Sequence, residues 1–228
     1  MIRFHIISLF PEALRTYLGA SMLWKAQRDK KIKIKVINPR DYTHDKHRRA
    51  DDRPYGGGPG MVLKAEPLLK ATAKVLSEAK NKSRIKIVVT SPRGKQFDNK
   101  MAIKWSKQYN NIVIIAGHYE GIDARVKKVL RAEEISVGPY TLTGGELPSM
   151  IMVDALTRQI PGVLGDPESL EEKRDAPREI YTRPEVFKFK GKNYRVPKVL
   201  LSGNPAKIKE WRTNSPELRS SSLIYKRG

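Results

Sequence analysis

Two glycine-rich segments have the residue types that could hold a ligand. The first, Tyr55-Gly-Gly-Gly-Pro-Gly-Met61, has four glycines in five residues, so its backbone can adopt positive φ or approach a ligand closely. A phosphate-binding loop would continue with Lys-Ser or Lys-Thr and a helix, whereas Val62-Leu63 follows here. The sequence therefore argues against a Walker-type ATP site. It leaves a tight turn, an RNA contact or a subunit contact as alternatives.

The second segment, Gly138-Pro-Tyr-Thr-Leu-Thr-Gly-Gly145, combines glycines with a tyrosine and short hydroxyl side chains. Such a loop is rich in main-chain donors and acceptors, which suits an adenine ring held by backbone hydrogen bonds and apolar contact. No Lys or Arg occurs from Ala132 to Thr157, which disfavours a phosphate-bearing cofactor. The segment is compatible with a ligand that is itself cationic, such as the sulfonium of S-adenosylmethionine.

Arg158 is the main candidate for electrostatic catalysis. It stands late in a predicted helix, where it either compensates the helix dipole or, beside a nucleobase, stabilises negative charge developing on a carbonyl oxygen. The acidic residues between positions 166 and 175 either are solvated or include a general base. His44 and His47 lie three residues apart, but exposed loop histidines are commoner than metal ligands, so we predict no metal site.

The composition indicates a basic globular protein. The 228 residues carry 45 Lys and Arg against 24 Asp and Glu, a formal net charge of +21, and no cysteine. Disulfides, thiolate zinc sites and cysteine nucleophiles are therefore excluded. No apolar run approaches the roughly 20 residues of a membrane helix. We expect a cytoplasmic protein with no membrane partner.

The positive charge is concentrated in two flanks of the chain. Residues 22–53 contain eleven Lys and Arg against five acids, and residues 181–228 contain twelve against three. Residues 111–160 are nearly neutral, with five against six. Basic flanks around a neutral centre favour nucleic acid as the partner. The alternative is that lysine is abundant throughout the organism's proteins, because the base composition of the genome sets how often surface positions carry lysine.

Apolar patterns predict the elements that position these residues. Strands alternate with helices, which is typical of βαβ units and a mainly parallel sheet, so the predicted fold class is α/β. Ligands in such sheets collect at the carboxyl ends of strands. We predict strands at 2–10, 32–37, 84–90, 112–116 and 133–137, and helices at 11–28, 64–80, 98–108, 120–130, 146–160 and 205–211.

Three of the informative segments, 91–94, 117–121 and 138–145, directly follow predicted strands. We therefore expect them to form one ligand site. After Gly162 the composition becomes charged and rich in proline, which indicates a linker at 162–180 between a domain at 1–161 and a small basic unit at 181–228.

Six co-linear segments together resemble the bacterial tRNA (guanine-N1)-methyltransferases of the SPOUT family. Members of that family methylate the guanosine just 3′ of the anticodon. The segments are 51–60, 117–123, 144–148, 158–165, 181–185 and 196–204.

The resemblance implies a parallel-sheet domain with a deep trefoil knot and a small, mainly helical C-terminal domain that binds tRNA. It also implies a homodimer with tRNA between the subunits, and S-adenosyl-L-methionine bound in a bent shape by the knotted loops. The cofactor-binding positions that it implies are Thr90, Pro92, Gly117, Tyr119, Glu120, Ser136, Val137, Gly138, Pro139, Tyr140, Thr141, Leu142, Gly144, Gly145 and Pro148.

The implied reaction is a base-assisted, direct methyl transfer to guanine N1. A carboxylate removes the N1 proton, and Arg158 matches the family arginine that holds the charge on O6. The family base is an aspartate, but an ungapped match places Lys173 there, and the linker is shorter than usual. Glu172 is our first choice for the base, followed by Asp175 and Glu171.

Two further positions depart from the family pattern. His118 stands where arginine is common, and Pro139 stands where aspartate is common. Both substitutions can alter contacts to the cofactor or the base. Two alternative functions remain: a SPOUT methyltransferase acting on another RNA, such as ribosomal RNA, and, because the family aspartate is missing, a catalytically silent RNA-binding module whose linker acids are only solvated.

Overall fold

The computed structural model describes residues 1–79, 84–164 and 179–213. The chain divides into two compact units, Met1–Pro167 and Glu168–Gly228. In the described ranges, no helix has the length and apolar character needed to cross a lipid bilayer.

The first unit alternates strands and helices along the chain. Its elements are β1 (Ile2–Ile7), α1 (Pro11–Leu18), α2 (Ser21–Arg28), β2 (Ile32–Ile37), β3 (Asp51–Asp52), β4 (Val62–Leu63), α3 (Ala65–Glu78), β5 (Ile85–Gln96), α4 (Asn99–Gln108), β6 (Asn111–Ile115), α5 (Ala124–Leu130), β7 (Glu133–Ser136) and α6 (Glu146–Arg158). A short 3₁₀ turn, Pro39–Tyr42, follows β2.

A five-stranded parallel sheet in the order β2-β1-β6-β5-β7 forms the centre of this unit. Helices α1, α2, α4 and α6 cover one face, where Phe4 and Met152 are fully buried. Helices α3 and α5 cover the other, where Leu68 and Val113 are fully buried. Both faces of a parallel sheet must be covered in this way, so its central strands read as continuous apolar runs. The prediction of an α/β fold with a parallel sheet is confirmed.

The single helix predicted at 11–28 is wrong, because the structure has two helices there. Gly19 ends α1, and its N–H donates to the carbonyl of Arg15 at 2.9 Å. Ala20 is extended, with φ −115° and ψ 161°, and Ser21 has a positive φ of 49°. The helical apolar period continues across this break, so periodicity alone did not reveal it.

Strand β5 extends beyond its predicted end at residue 90. Thr90 and Lys95 both pair with Ile135, so residues 91–94 form a bulge in the ladder. A Cβ on Gly94 would lie 2.5 Å from the backbone nitrogen of Ile135, so this close approach requires glycine. The predicted loop is therefore a bulge within a longer strand.

Helix α5 begins four residues later than predicted. Residues 120–123 instead hydrogen-bond to the chain around β4: Glu120 N–H donates to Met61 O, and Leu63 N–H donates to Gly121 O, both at 3.0 Å. Asp123 then caps the helix by accepting from the backbone N–H of Arg125 at 2.9 Å. The other predicted elements of the first unit are present, with ends shifted by at most three residues.

The described part of the second unit contains β8 (Val186–Phe189), β9 (Lys192–Arg195), α7 (Lys198–Leu201) and α8 (Pro205–Thr213). The predicted helix near 205–211 is present as α8. The antiparallel β8–β9 hairpin was not predicted from the sequence, so the expectation of a mainly helical C-terminal domain is incomplete. Its two-residue turn, Lys190-Gly191, has φ of 47° and 76°, the positive values that a type I′ turn requires.

Candidate functional site

A cavity of about 740 Å³ lies at the carboxyl ends of the adjacent strands β6, β5 and β7. Residues 91–93 of the β5 bulge, the segment 117–124 after β6 and the loop 139–145 after β7 form its walls. The size is in the range of sites that enclose a small organic ligand. The structure thus brings together the three segments that were expected to form one site.

Fourteen of the fifteen positions implied for cofactor binding line this cavity. The exception is Gly138, which is buried just behind the wall. Its carbonyl accepts from Ser136 Oγ at 2.9 Å, and a Cβ on Gly138 would strike the ring of Tyr140. The lining positions are Thr90, Pro92, Gly117, Tyr119, Glu120, Ser136, Val137, Pro139, Tyr140, Thr141, Leu142, Gly144, Gly145 and Pro148.

The start of α6 packs directly on the end of β6. Thr90 Oγ1 accepts from the N–H of Gly117 at 2.9 Å, and the N–H of Gly145 donates to the carbonyl of Gly117 at 2.6 Å. A Cβ on Gly145 would lie 2.6 Å from Gly117 N, 2.8 Å from Ala116 Cα, and closer still to Thr90 Oγ1. Only glycine fits at this position, and the floor of the cavity is therefore backbone.

A polar contact fixes the first turn of α6 beside the cavity. Ser8, at the end of β1, donates its hydroxyl proton to Glu146 Oε1 at 2.7 Å, and the other carboxylate oxygen lies 3.7 Å from His118 Nδ1. The His118 ring packs against Phe10 and Tyr119, with centroid distances of 4.9 and 4.7 Å. His118 Nδ1 is buried and has no hydrogen-bond partner among the described residues, so this lining residue can bond to a ligand.

Most charged residues of the lining are ion-paired, which leaves Glu120 and Arg93 without an ion pair to any described residue. The carboxylates of Glu120, Asp123 and Glu134 face two cations, Arg93 and Lys127. Lys127 Nζ lies 2.5 Å from Glu134 Oε2, so these two charges largely cancel. Residues 138–145 carry no cation, but the tertiary structure adds Arg93 and Lys127 from other elements.

Asp123 remains ionised at neutral pH. The guanidinium of Arg125 hydrogen-bonds to both of its carboxylate oxygens, which holds the pKa of Asp123 below its ordinary value. The carboxylate is therefore charged, but Arg125 largely balances that charge.

The first glycine-rich segment lies against the same wall. A Cβ on Gly60 would lie 2.6 Å from Glu120 Oε1, and Glu120 N–H is bonded to the carbonyl of Met61. Gly60 and the three consecutive glycines at 56–58 have positive φ. Tyr55, before them, is fully exposed. This loop therefore borders the cavity and presents an aromatic side chain to solvent.

Arg158 is distant from the cavity of its own chain. It is the last residue of α6, whereas the cavity borders the first turn, and twelve helical steps separate the two by about 18 Å. Arg158 is half-buried and has no hydrogen bond or ion pair with any described residue. The three candidate bases, Glu172, Asp175 and Glu171, lie outside the described residues.

Sequence reasoning missed the positioning role of Ser8 and Glu146. The acidic residue directly after Gly144-Gly145 was a usable signal, because acids are favoured in the first turn of a helix. The partner Ser8 had no such signal, since 138 residues separate the two in sequence. Among the described residues, no group of three or more His, Asp or Glu is placed to hold a metal ion.

Comparisons with known proteins give one consistent result. The family model described as tRNA (Guanine-1)-methyltransferase TrmD matches residues 2–225. The tRNA (guanine-N(1)-)-methyltransferase of Alkaliphilus oremlandii is 42% identical over 218 residues, 92% of this chain and 85% of the relative. The same-named protein of Dictyoglomus turgidum is 44% identical over 218 residues, with 93% and 84% covered. That of Clostridioides difficile is 42% identical over 215 residues, with 92% and 90% covered.

Proposed function

The chain belongs to the tRNA (guanine-1)-methyltransferase family, and from this membership we propose how its residues carry out the reaction. The protein is an enzyme that methylates N1 of the guanosine just 3′ of the anticodon in tRNA, with S-adenosyl-L-methionine as the methyl donor. The observation that supports the assignment of residues best is the cavity at the ends of β5, β6 and β7, which is lined by the positions expected to bind the donor.

The cavity residues fit a sulfonium ligand. A Cβ on Gly117, Gly144 or Gly145 would press against Thr90, His118 or Glu146, so these glycines keep a close-packed backbone floor, and His118 Nδ1 offers an unpaired buried nitrogen. Glu120, a lining carboxylate with no ion pair to any described residue, complements a positive charge. When bound, S-adenosyl-L-methionine supplies an electrophilic methyl group. The protein contributes by holding it in line with the acceptor nitrogen, because alignment accounts for much of the rate of a direct displacement.

The acceptor requires a base and an electrostatic partner. Guanine N1 carries a proton at neutral pH, so a carboxylate must remove it before N1 can act as a nucleophile. We assign this step to Glu172, with Asp175 and Glu171 as the alternatives. Arg158 then stabilises the negative charge that develops on O6.

A homodimer reconciles the distance between Arg158 and the cavity. Since about 18 Å of helix separates the two within one chain, a second copy must bring its Arg158 to the cavity if this residue is catalytic. The exposed side of α6 supports a subunit contact there. Leu147 and Ile151, one turn apart on that side, are 54% and 42% exposed, and nearby Tyr17, which donates to Asp154 on α6, is 49% exposed.

Complementation between two inactive variants tests this arrangement. Gly145→Leu, whose side chain overlaps Thr90 and Gly117 far more than a single methyl group does, disrupts the cavity, and Arg158→Gln removes the cation. If Arg158 acts on the cavity of the other subunit, mixed dimers contain one intact site and recover activity. If Arg158 acts within its own chain, no mixed dimer has an intact site and the mixture stays inactive. Sedimentation of the unmixed protein as a monomer would also contradict the proposal.

Family membership also suggests a chain topology, a tRNA-binding domain and a cellular location for this protein. We place a trefoil knot in the domain at 1–161, tRNA binding in the domain at 181–228 after a linker at 162–180, and the enzyme in the cytoplasm. The close packing of Gly145 against Thr90, Ala116 and Gly117 supports the knot, because it brings the chain that enters α6 against the ends of both β5 and β6.

Methylation of separated RNA fractions tests the function. Purified protein is incubated with labelled S-adenosyl-L-methionine and either tRNA or ribosomal RNA, and the products are digested to nucleosides. We expect 1-methylguanosine only from tRNA that has guanosine 3′ of the anticodon. Product only from ribosomal RNA would overturn the choice of substrate. Calorimetric binding of donor and tRNA without turnover would instead identify a silent RNA-binding module.

A further inference from the structure

The β8–β9 hairpin exposes three aromatic side chains on one face. Phe187, Phe189 and Tyr194 are 55%, 53% and 53% exposed. Phe187 pairs with Tyr194 across the hairpin, and Phe189 lies two residues along the strand, so all three point to the same side. Exposed apolar groups that are clustered in this way mark an interaction surface more often than isolated ones do.

The three rings form a continuous platform. The Phe187 and Phe189 rings are within 12° of parallel, with centroids 6.2 Å apart, and the Tyr194 ring lies 6.3 Å from Phe187. The tight Lys190-Gly191 turn holds the strands in this register. We refer to Phe187, Phe189 and Tyr194 as the aromatic platform.

Two lysines lie at the turn end of the aromatic platform. Residues 186–195 contain four Lys or Arg and no acid. Lys192 shares the face of the platform, and Lys190 Nζ lies 5.5 Å from the centre of the Phe189 ring. Both lysines are exposed, and neither forms an ion pair with any described residue. Their positive charge is thus available to a partner.

We propose that the aromatic platform stacks unpaired bases of the substrate tRNA, while the hairpin cations contact the phosphates beside those bases. This inference rests on the proposed function, because tRNA is the polyanion that the enzyme must hold. Unpaired bases offer flat faces that stack on aromatic rings, and flanking cations add the salt-dependent part of the affinity. A protein partner that covered this surface would need acidic groups to match the cations, and a second copy of this hairpin would repel it.

The test is a titration of a fluorescently labelled tRNA transcript, without modified nucleosides, with the full-length protein. Fluorescence anisotropy measures binding at each of several salt concentrations. The Phe187→Ile/Tyr194→Ile variant keeps apolar, strand-forming side chains but removes two rings. We expect its affinity for tRNA to fall about five-fold or more, since stacking on one aromatic side chain is worth about 1–3 kcal/mol per base. The salt dependence of binding should not change, because no charge is lost.

Three further variants separate stacking from other effects. Phe187→Trp keeps a ring and should bind tRNA about as tightly as the parent protein. Asn193→Ala alters the opposite face of the same hairpin and should do the same. Lys192→Gln should lower the slope of log affinity against log salt by about one, as expected for one lost phosphate contact.

The readouts also separate this proposal from the proposed function. If the parent protein methylates tRNA and the double variant binds it within about two-fold of the parent, the stacking proposal is overturned. A changed oligomeric state of the double variant with unchanged tRNA affinity overturns it too and indicates a contact between subunits. If the parent protein fails to methylate tRNA, the proposed function fails first. The variant's affinity for S-adenosyl-L-methionine and its turnover at saturating tRNA should equal those of the parent.

Discussion

The substitution Gly145→Ala tests whether the backbone floor of the cavity determines donor binding. The added Cβ would lie 2.6 Å from Gly117 N, whereas real Cβ atoms essentially never approach other heavy atoms within 3.0 Å. Backbone at Gly117 or Gly145 must therefore move by at least 0.4 Å, and Thr90 Oγ1, which is closer still, by more. This movement stretches the hydrogen bond between Gly145 and Gly117 and the one between Gly117 and Thr90.

The expected magnitude follows from these contacts. Overpacking in a tight core costs about 1–3 kcal/mol, and a weakened hydrogen bond costs about 1 kcal/mol, so the free energy of unfolding should fall by about 2–4 kcal/mol. Because Thr90 and Gly117 both line the cavity, we expect the affinity for S-adenosyl-L-methionine to fall about ten-fold, equivalent to about 1.4 kcal/mol. Urea unfolding and isothermal titration calorimetry measure the two quantities.

Gly203→Ala is a suitable control for this experiment. Gly203 has a positive φ of 65° and nothing within 4 Å of an added Cβ, so alanine there costs about 1–2 kcal/mol of backbone strain without a clash. It lies in the second unit and outside the cavity lining, so donor affinity should not change. Unaltered stability and donor affinity in Gly145→Ala would refute the conclusion that only glycine fits the cavity floor.

Three other substitutions test the remaining assignments. Arg158→Lys should lower the single-turnover methylation rate about 10²–10³-fold with little change in donor affinity, because a lysine cannot reproduce the guanidinium contact with O6; a normal rate would remove Arg158 from the mechanism. Glu172→Gln should lower turnover by about 10²–10⁴-fold while calorimetry still detects the donor, and a normal rate would shift the assignment to Asp175 or Glu171. Burial lowers the pKa of the His5 imidazole in the folded protein. As the pH falls below 6.5, the unfolded chain therefore binds a proton before the folded protein does, and the free energy of unfolding decreases until the pH reaches the folded-state pKa. Between about pH 7.5 and 5.5, the urea midpoint of the His5→Gln variant should fall less steeply with decreasing pH than that of the parent protein. An equal fall in both proteins would show that His5 does not cause this loss of stability.

Much of the first unit followed from local pattern. The alternation of apolar runs with amphipathic segments predicted the parallel sheet. The helix predicted at 98–108 is present, and Asp98 at its start caps α4 by accepting from Met101 N at 2.7 Å. Errors occurred where a distant contact overrides the local pattern. Residues 120–123 have a helical pattern but hydrogen-bond to the chain around β4, and residues 91–94 read as a loop but belong to a bulged strand.

The hairpin of the second unit was missed for a different reason. Its signal is short: alternating Phe187 and Phe189, a Lys190-Gly191 turn and Tyr194 on the return strand. The helix-forming residues that follow it are a stronger pattern in the same basic segment. The alternation of aromatic and cationic residues was nonetheless visible in the sequence.

The α/β class, the basic flanks and the segments that form the candidate site were predictable from the residues alone, because each depends on residue type and on spacing within a single element. How those segments meet became visible in the folded chain. The fold brings the Ser8 hydroxyl within hydrogen-bond distance of Glu146 and adds Arg93 and Lys127 to the lining of the cavity. It also separates Arg158 from the cavity of its own chain by about 18 Å. Such relations join residues that are far apart in the chain or at opposite ends of a helix, and no local periodicity records them.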